Sequence, residues 1–258
     1  MRFSANLSML YSDRPFLDRF AAAARDGFTG VEYVSPYEHD PAVIAELLQR
    51  HGLTQALFNL PAGDWAAGER GIAALPDRQA EFRASIDTAI RYAQALGCER
   101  VNCLAGIPKG VPEAIAEATL VANLRYAAPL LADAGVKLLL EPINPVDMPG
   151  FFVNSTAHAL RLFEQAGEAN LFLQYDFYHM QRVRGELLET FAQLQPRIAH
   201  VQIADTPGRH EPGTGEINYG FVLAELDRLG YDGWVGAEYH PLGDTSAGLG
   251  WMREWTTR

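Results

Sequence analysis

At 258 residues, with 48% hydrophobic and 21% charged side chains, the chain suits one large α/β domain or two small ones, and it is too apolar to be disordered. A formal net charge of -11 leaves no basic surface for nucleic-acid phosphates or an anionic membrane, so neither is an expected partner. No apolar run reaches the roughly 18 residues of a membrane span, and MRFSANLSMLYSDRP lacks a leader's apolar core, so a cytoplasmic protein is expected.

Short β-branched or aromatic runs alternate with longer amphipathic stretches. RFSAN (2–6) reads as a first strand, followed by SDRPFLDRFAAAARDGF, where Ser12 is an expected N-cap and Gly27 a stop. GVEYV (30–34) leads into the helical DPAVIAELLQRHG, and TQALFNL (54–60) into a long connection over 61–82. RVNCLAG (100–106) precedes a helix over 112–135, and KLLLEPI (137–143) precedes STAHALRLFEQAG, capped by Asn154 or Ser155. LFLQYDF (171–177), AHVQIAD (199–205), a helix over 217–230 and WVGAEY (234–239) complete the series. Eight strand-and-helix units without a Pro/Gly/Ser linker predict a single (β/α)8 TIM barrel over residues 1–258. A doubly wound open sheet is the alternative, but no GxGxxG follows the first strand. Cys98 and Cys103 form no CxxC pair and read as buried thiols. The connection over 61–82, with Trp65, Glu69 and Arg70, is either a lid or a surface excursion running into the next helix.

In such a barrel the C-terminal strand ends form the active face. Four successive strands carry an oxygen-bearing side chain there: Glu141, Asp176, Gln202 and Glu238, separated by 35, 26 and 36 residues. Three carboxylates brought together repel one another, and burying them requires a positive group among them. Carboxylate and amide oxygens are hard ligands, so a divalent ion such as Mg2+ or Mn2+ is the expected cofactor. A lone strand-end acid is more often a helix cap or an arginine partner, and it is the set that carries the inference. His179, three residues past Asp176, is placed to hydrogen-bond a substrate hydroxyl or is a plain loop histidine. His200, inside a strand, reads as a core imidazole satisfied by the backbone. Asn6, Glu32 and Asn59 line the mouth, and Lys109 and Arg209 are candidate anchors for a substrate carboxylate. GRHEPGTGEINY (208–219) holds a GxG turn, either an anion cradle or a plain turn, with Glu216 either near the mouth or capping the next helix.

The ordered motifs EPIN, YDFYH, HVQIAD, PGTGEINY and GAEYHP, with FNLPAGDWAAGERG and GVEY, resemble the hydroxypyruvate isomerases and 2-oxo-tetronate isomerases of the xylose-isomerase-like barrel superfamily, across essentially the whole chain. The resemblance implies Glu141 and Glu238 as the proton-transfer pair and Glu141, Asp176, Gln202 and Glu238 as metal ligands. Gln202 stands where many sugar epimerases of the superfamily have His. The implied substrate is a small hydroxy-oxo acid, with Lys109, Arg70 or Arg209 meeting its carboxylate. Hydroxypyruvate isomerisation through an ene-diolate is the leading expectation. Alternatives are a 2-oxo-tetronate isomerase or ketose 3-epimerase using the same site, and more remotely an abasic-site endonuclease or a non-catalytic sugar-acid-binding barrel. A homo-oligomer is compatible with the sequence and is not specified by it.

Overall fold

The computed structural model describes residues 1–256 and closes eight parallel strands into a barrel in chain order. They are β1 (Arg2–Asn6), β2 (Gly30–Tyr33), β3 (Thr54–Asn59), β4 (Arg100–Cys103), β5 (Lys137–Leu140), β6 (Leu171–Asp176), β7 (Ile198–Ile203) and β8 (Trp234–Ala237). β1 seals the barrel against β8, with Arg2 opposite Trp234 and Ala5 opposite Ala237. The (β/α)8 barrel, rather than the open sheet, is therefore the architecture.

Around the barrel lie α1 (Arg19–Arg25), α2 (Pro41–His51), α3 (Gln79–Leu96), α4 (Glu113–Asp133), α5 (Thr156–Ala166), α6 (Phe177–Val183), α7 (Leu187–Leu194), α8 (Tyr219–Arg228) and α9 (Gly250–Thr256). Asp40 caps α2 through Ala42 N, Ser155 caps α5 through His158 N, and Asn218 caps α8 through Phe221 N. Ser12 caps nothing. The Arg19 guanidinium binds the carbonyls of Leu7 and Arg14, which holds the preceding segment in turns and delays α1 until Arg19.

Alternation along the strands separates two environments. Leu138 and Leu140 of β5 face outward into the large core shared with the helices, whereas Leu139 joins Leu57, Ala199 and Phe172 in a small apolar cluster inside the barrel. A register shift between β6 and β7 pairs Leu173 with Ile198 and Gln174 with His200, so that Ala199 joins this floor while His200 and Gln202 still face the interior. Above the floor the interior turns polar: Ser4, Asn6, Glu32, Asn102, Gln174, Asp176, His200 and Gln202 are all buried. Cys98 and Cys103 are buried too, and burial pushes both thiols up to about 12.

The 61–82 connection is anchored at its base. A Cβ on Gly71 or Gly106 would run into the backbone of the other's loop, at Leu104 O and Gly71 O respectively. Ala74 N donates to Ala105 O, and Asn123 Nδ2 to Ala73 O. Its last four residues already belong to α3. At the tip, Glu69 accepts from Asp64 N and pairs with Arg78, while Arg70 lies 4.0 Å over the Trp65 ring.

Candidate active site

Each side chain of the cluster is delivered by the end of a strand. β5 stops at Leu140, one residue before Glu141, because Pro142 has no N–H to extend the ladder. β8 likewise stops at Ala237, one before Glu238, while Asp176 is the last residue of β6 and lies opposite Gln202 of β7. All four side chains are buried.

Glu238 Oε2 accepts from Arg209 Nη2 at 2.6 Å, and the same nitrogen lies 3.7 Å from Asp176 Oδ2. Glu238 Oε1 accepts from Asn6 Nδ2 at 2.9 Å. Asn102 Nδ2 donates to Glu141 Oε2 at 3.3 Å and to Asn59 Oδ1 at 3.2 Å. His179 Nε2 sits 3.7 Å from Glu141 Oε1 and 3.5 Å from Asp176 Oδ2. Gln202 Nε2 donates to Glu32 Oε1 at 2.8 Å, and its Oε1 accepts from Gln174 Nε2 at 2.6 Å. Glu32 also accepts from Ser4 and His200, so this fourth carboxylate binds the N–H side of Gln202 and turns its oxygen away. A Cβ on Gly236 would overlap the Glu32 carboxylate; that glycine makes the space Glu32 occupies.

The electrostatics follow from burial and crowding. Desolvation, reinforced by Glu238 and Asp176, pushes the Glu141 carboxyl far above the usual range. Burial drives Asp176 up to about 6 and Glu238 up to about 8, against the pull of Arg209. Burial, then Arg209 and Arg182, holds His179 well below its ordinary value, which keeps it neutral. Burial works against the charge of Glu32 as well, but His200, Gln202 and Ser4 outweigh it and keep that carboxyl below its usual range.

These residues fit a divalent cation. Glu141 Oε1 and Asp176 Oδ2 are buried with no hydrogen-bond partner, and orphaned carboxylate oxygens at that depth are costly unless a cation meets them. Glu141, Asp176 and His179 bring ligand atoms within 4.8 Å of one another. Gln202 Oε1 keeps a second lone pair beside its bond to Gln174.

The remaining candidates separate. Asn6, Asn59, His179 and Arg209 meet the cluster, directly or through Asn102. Lys109 is exposed on the β4–α4 loop, and Arg70 is spent on Trp65 and two backbone carbonyls. Glu216 is exposed and caps nothing, since Asn218 caps α8. The GxG turn cradles no external anion. Its Gly213, Gly215 and Ile217 amides, with that of Thr206, already bind the Asp205 carboxylate. His200 Nε2 meets the Glu32 carboxylate at 2.8 Å rather than the backbone, and its Nδ1 has no hydrogen-bond partner. Gln174 went unread, although the period of two counted back from Asp176 marks it as inward-facing. Beside the mouth lies a groove of about 710 Å³, lined by Ser8, Phe16, His39, Leu60, Trp65 and His240 among others.

A family model described as xylose isomerase-like TIM barrel matches residues 20–255. The chain belongs to that family. It is 52% identical over 253 residues to hydroxypyruvate isomerase of Escherichia coli, covering 98% of each chain. It is 50% identical over 258 residues to 2-oxo-tetronate isomerase of Cupriavidus necator, covering 100% of this chain and 99% of that one. A solved structure from Brucella melitensis, titled AP endonuclease, family 2, superposes with a TM-score of 0.96 at 45% identity and covers 98% of each chain. Within the xylose isomerase-like family this chain is an isomerase.

Proposed function

We propose that the protein interconverts hydroxypyruvate and 2-hydroxy-3-oxopropanoate by 1,2-proton transfer, assisted by a divalent metal. The observation that carries this reading is the burial of Glu141, Asp176 and Glu238 in one cluster, where Arg209 pairs with Asp176 and Glu238 and two carboxylate oxygens accept no hydrogen bond. Glu141, Asp176, Gln202 and Glu238 would hold the ion, and their hard oxygens suit Mg2+ or Mn2+. When bound, it supplies positive charge that stabilises a developing ene-diolate.

The side chains do the rest. One of Glu141 and Glu238 takes a proton from the hydroxyl-bearing carbon. The other delivers a proton to the former carbonyl carbon, while a hydroxyl proton passes between the two neighbouring oxygens; the reverse reaction exchanges the roles. Burial and neighbouring negative charge lift both carboxyls toward the neutral range, where one can hold a proton while the other does not. Arg209, half-buried at the cluster, is the best-placed of the cations for the substrate carboxylate, ahead of Arg70 and Lys109. A small acid is thus the partner, in the cytoplasm. A nucleic acid is not, because the net charge is -11 and the cluster is carboxylate-rich rather than histidine-rich.

A 2-oxo-tetronate is the second reading, supported by the 50% identity with 2-oxo-tetronate isomerase of Cupriavidus necator over the full chain. NMR of hydroxypyruvate in D2O with protein and Mn2+ or Mg2+ tests the chemistry. Isomerisation with solvent deuterium entering at carbon is expected, and its absence with every hydroxy-oxo acid would refute the reading. Comparison of kcat/KM then decides the substrate: a preference of more than about tenfold for the four-carbon acid moves the assignment to the second reading.

A further inference from the structure

Asn144 lies three residues past Glu141 in the EPIN motif, and its amide orientation is fixed on both sides. Its Oδ1 accepts from Val146 N at 3.0 Å and from Asp147 N at 2.9 Å. Its Nδ2 is 3.1 Å from Asp147 Oδ2 and 2.7 Å from His179 Nδ1. Flipping the amide would turn N–H groups onto two backbone N–H donors and an oxygen onto a carboxylate. The nitrogen therefore faces His179, and an N–H at 2.7 Å leaves His179 Nδ1 only the role of acceptor. A neutral imidazole that accepts at Nδ1 carries its proton at Nε2. That nitrogen faces Glu141 Oε1 and Asp176 Oδ2, the two oxygens without a hydrogen bond.

We propose that Asn144 is a positioning residue that fixes the tautomer of His179, so that His179 is a hydrogen-bond donor at the site and not a metal ligand. An Nε2 that carries a proton has no lone pair to give an ion. The cluster of Glu141, Asp176 and His179 thus divides into two ligands and one donor. Tyr178 OH and the Arg182 guanidinium also engage Asp147, which ties the device to α6. The tautomer assignment stands on hydrogen-bond geometry alone. The further role of the Nε2–H, donating to an oxygen of a hydroxy-oxo acid, rests on the function proposed above.

Long-range 15N–1H NMR of metal-free, histidine-labelled protein near pH ~8, where an ordinary imidazole is neutral, reads the tautomer directly, with His179→Gln assigning the signal. The wild type is expected to show an unprotonated Nδ1 and a protonated Nε2. The exchange variant Asn144→Asp/Asp147→Asn swaps amide and carboxylate, and its new acceptor should draw the proton to Nδ1. With Nε2 freed, Zn2+ should bind about ten- to a hundredfold more tightly, while kcat falls about a hundredfold with KM little changed. A wild-type proton on Nδ1, Zn2+ coordination by Nε2 in the wild type, or an unchanged tautomer in the exchange variant overturns the proposal. The wild-type spectrum decides alone if the exchange variant does not fold. The expected spectrum combined with no activity on any hydroxy-oxo acid would sink the function and leave the tautomer assignment standing.

Discussion

The two ends of the barrel interior share strands β5, β6 and β7 and do opposite things. At the floor, Leu57, Leu139, Phe172 and Ala199 bury only carbon, and burial there is unopposed. At the mouth β5, β6 and β7, joined by β8, deliver Glu141, Asp176, Gln202 and Glu238, which crowd three carboxylates around one guanidinium and leave two oxygens without a hydrogen bond. The difference teaches that stability and chemistry occupy separate layers, and that the mouth carries an electrostatic cost which its function recovers.

That separation can be broken by substitution. Glu141→Gln and Glu238→Gln should each lower kcat by about a thousandfold or more, as expected for loss of an acid–base group, while raising the Tm of metal-stripped protein at alkaline pH, where the carboxyls would otherwise be charged. A fall in Tm with activity intact would dissolve the distinction. Leu139→Ala should do the converse, costing about 2–5 kcal/mol by denaturant unfolding and changing kcat little.

Gly236→Ala acts between the layers. The added methyl displaces the Glu32 carboxylate, which orients Gln202, so metal affinity measured by titration should fall about ten- to a hundredfold, the usual scale for a partner one shell out. Unchanged affinity would mean that Gln202 needs no such support.

The pH dependence has a defined sign. Asp176 at about 6 and Glu238 at about 8 bind protons more tightly folded than unfolded. Their contribution to stability is therefore complete below their unfolded values near 4 and is lost as pH rises through about 6 and then about 8. The Tm of stripped protein should fall over that window, and Mn2+ should restore most at the alkaline end. A flat profile in stripped protein would contradict the picture of a crowded, unneutralised mouth. The smallest expected effect is at Glu216, exposed and away from the cluster, where Ala should change neither activity nor stability by more than about 0.5 kcal/mol.

The barrel was legible in the sequence because its strands are continuous apolar runs at a regular spacing, and the four cluster residues because each follows such a run at a strand end. What escaped was the layer beneath. Glu32 was read as a mouth residue and His200 as backbone-satisfied, yet they form one buried pair that supports Gln202. No local pattern ties residues 168 positions apart; only the closed barrel brings them together. The GxG turn failed as an anion cradle for a similar reason, since Asp205 fills it from eight residues upstream. Arg70 and Lys109 were chosen by charge alone, and charge does not report where a side chain is already engaged.

The central claim is that the carboxylate mouth is a metal site with oxygen ligands. Anomalous diffraction from crystals soaked in Mn2+ tests it most directly. The account predicts one strong peak ligated by Glu141, Asp176, Gln202 Oε1 and Glu238, with His179 Nε2 outside the coordination shell. No peak at the mouth, or a peak ligated by His179 Nε2, would contradict it.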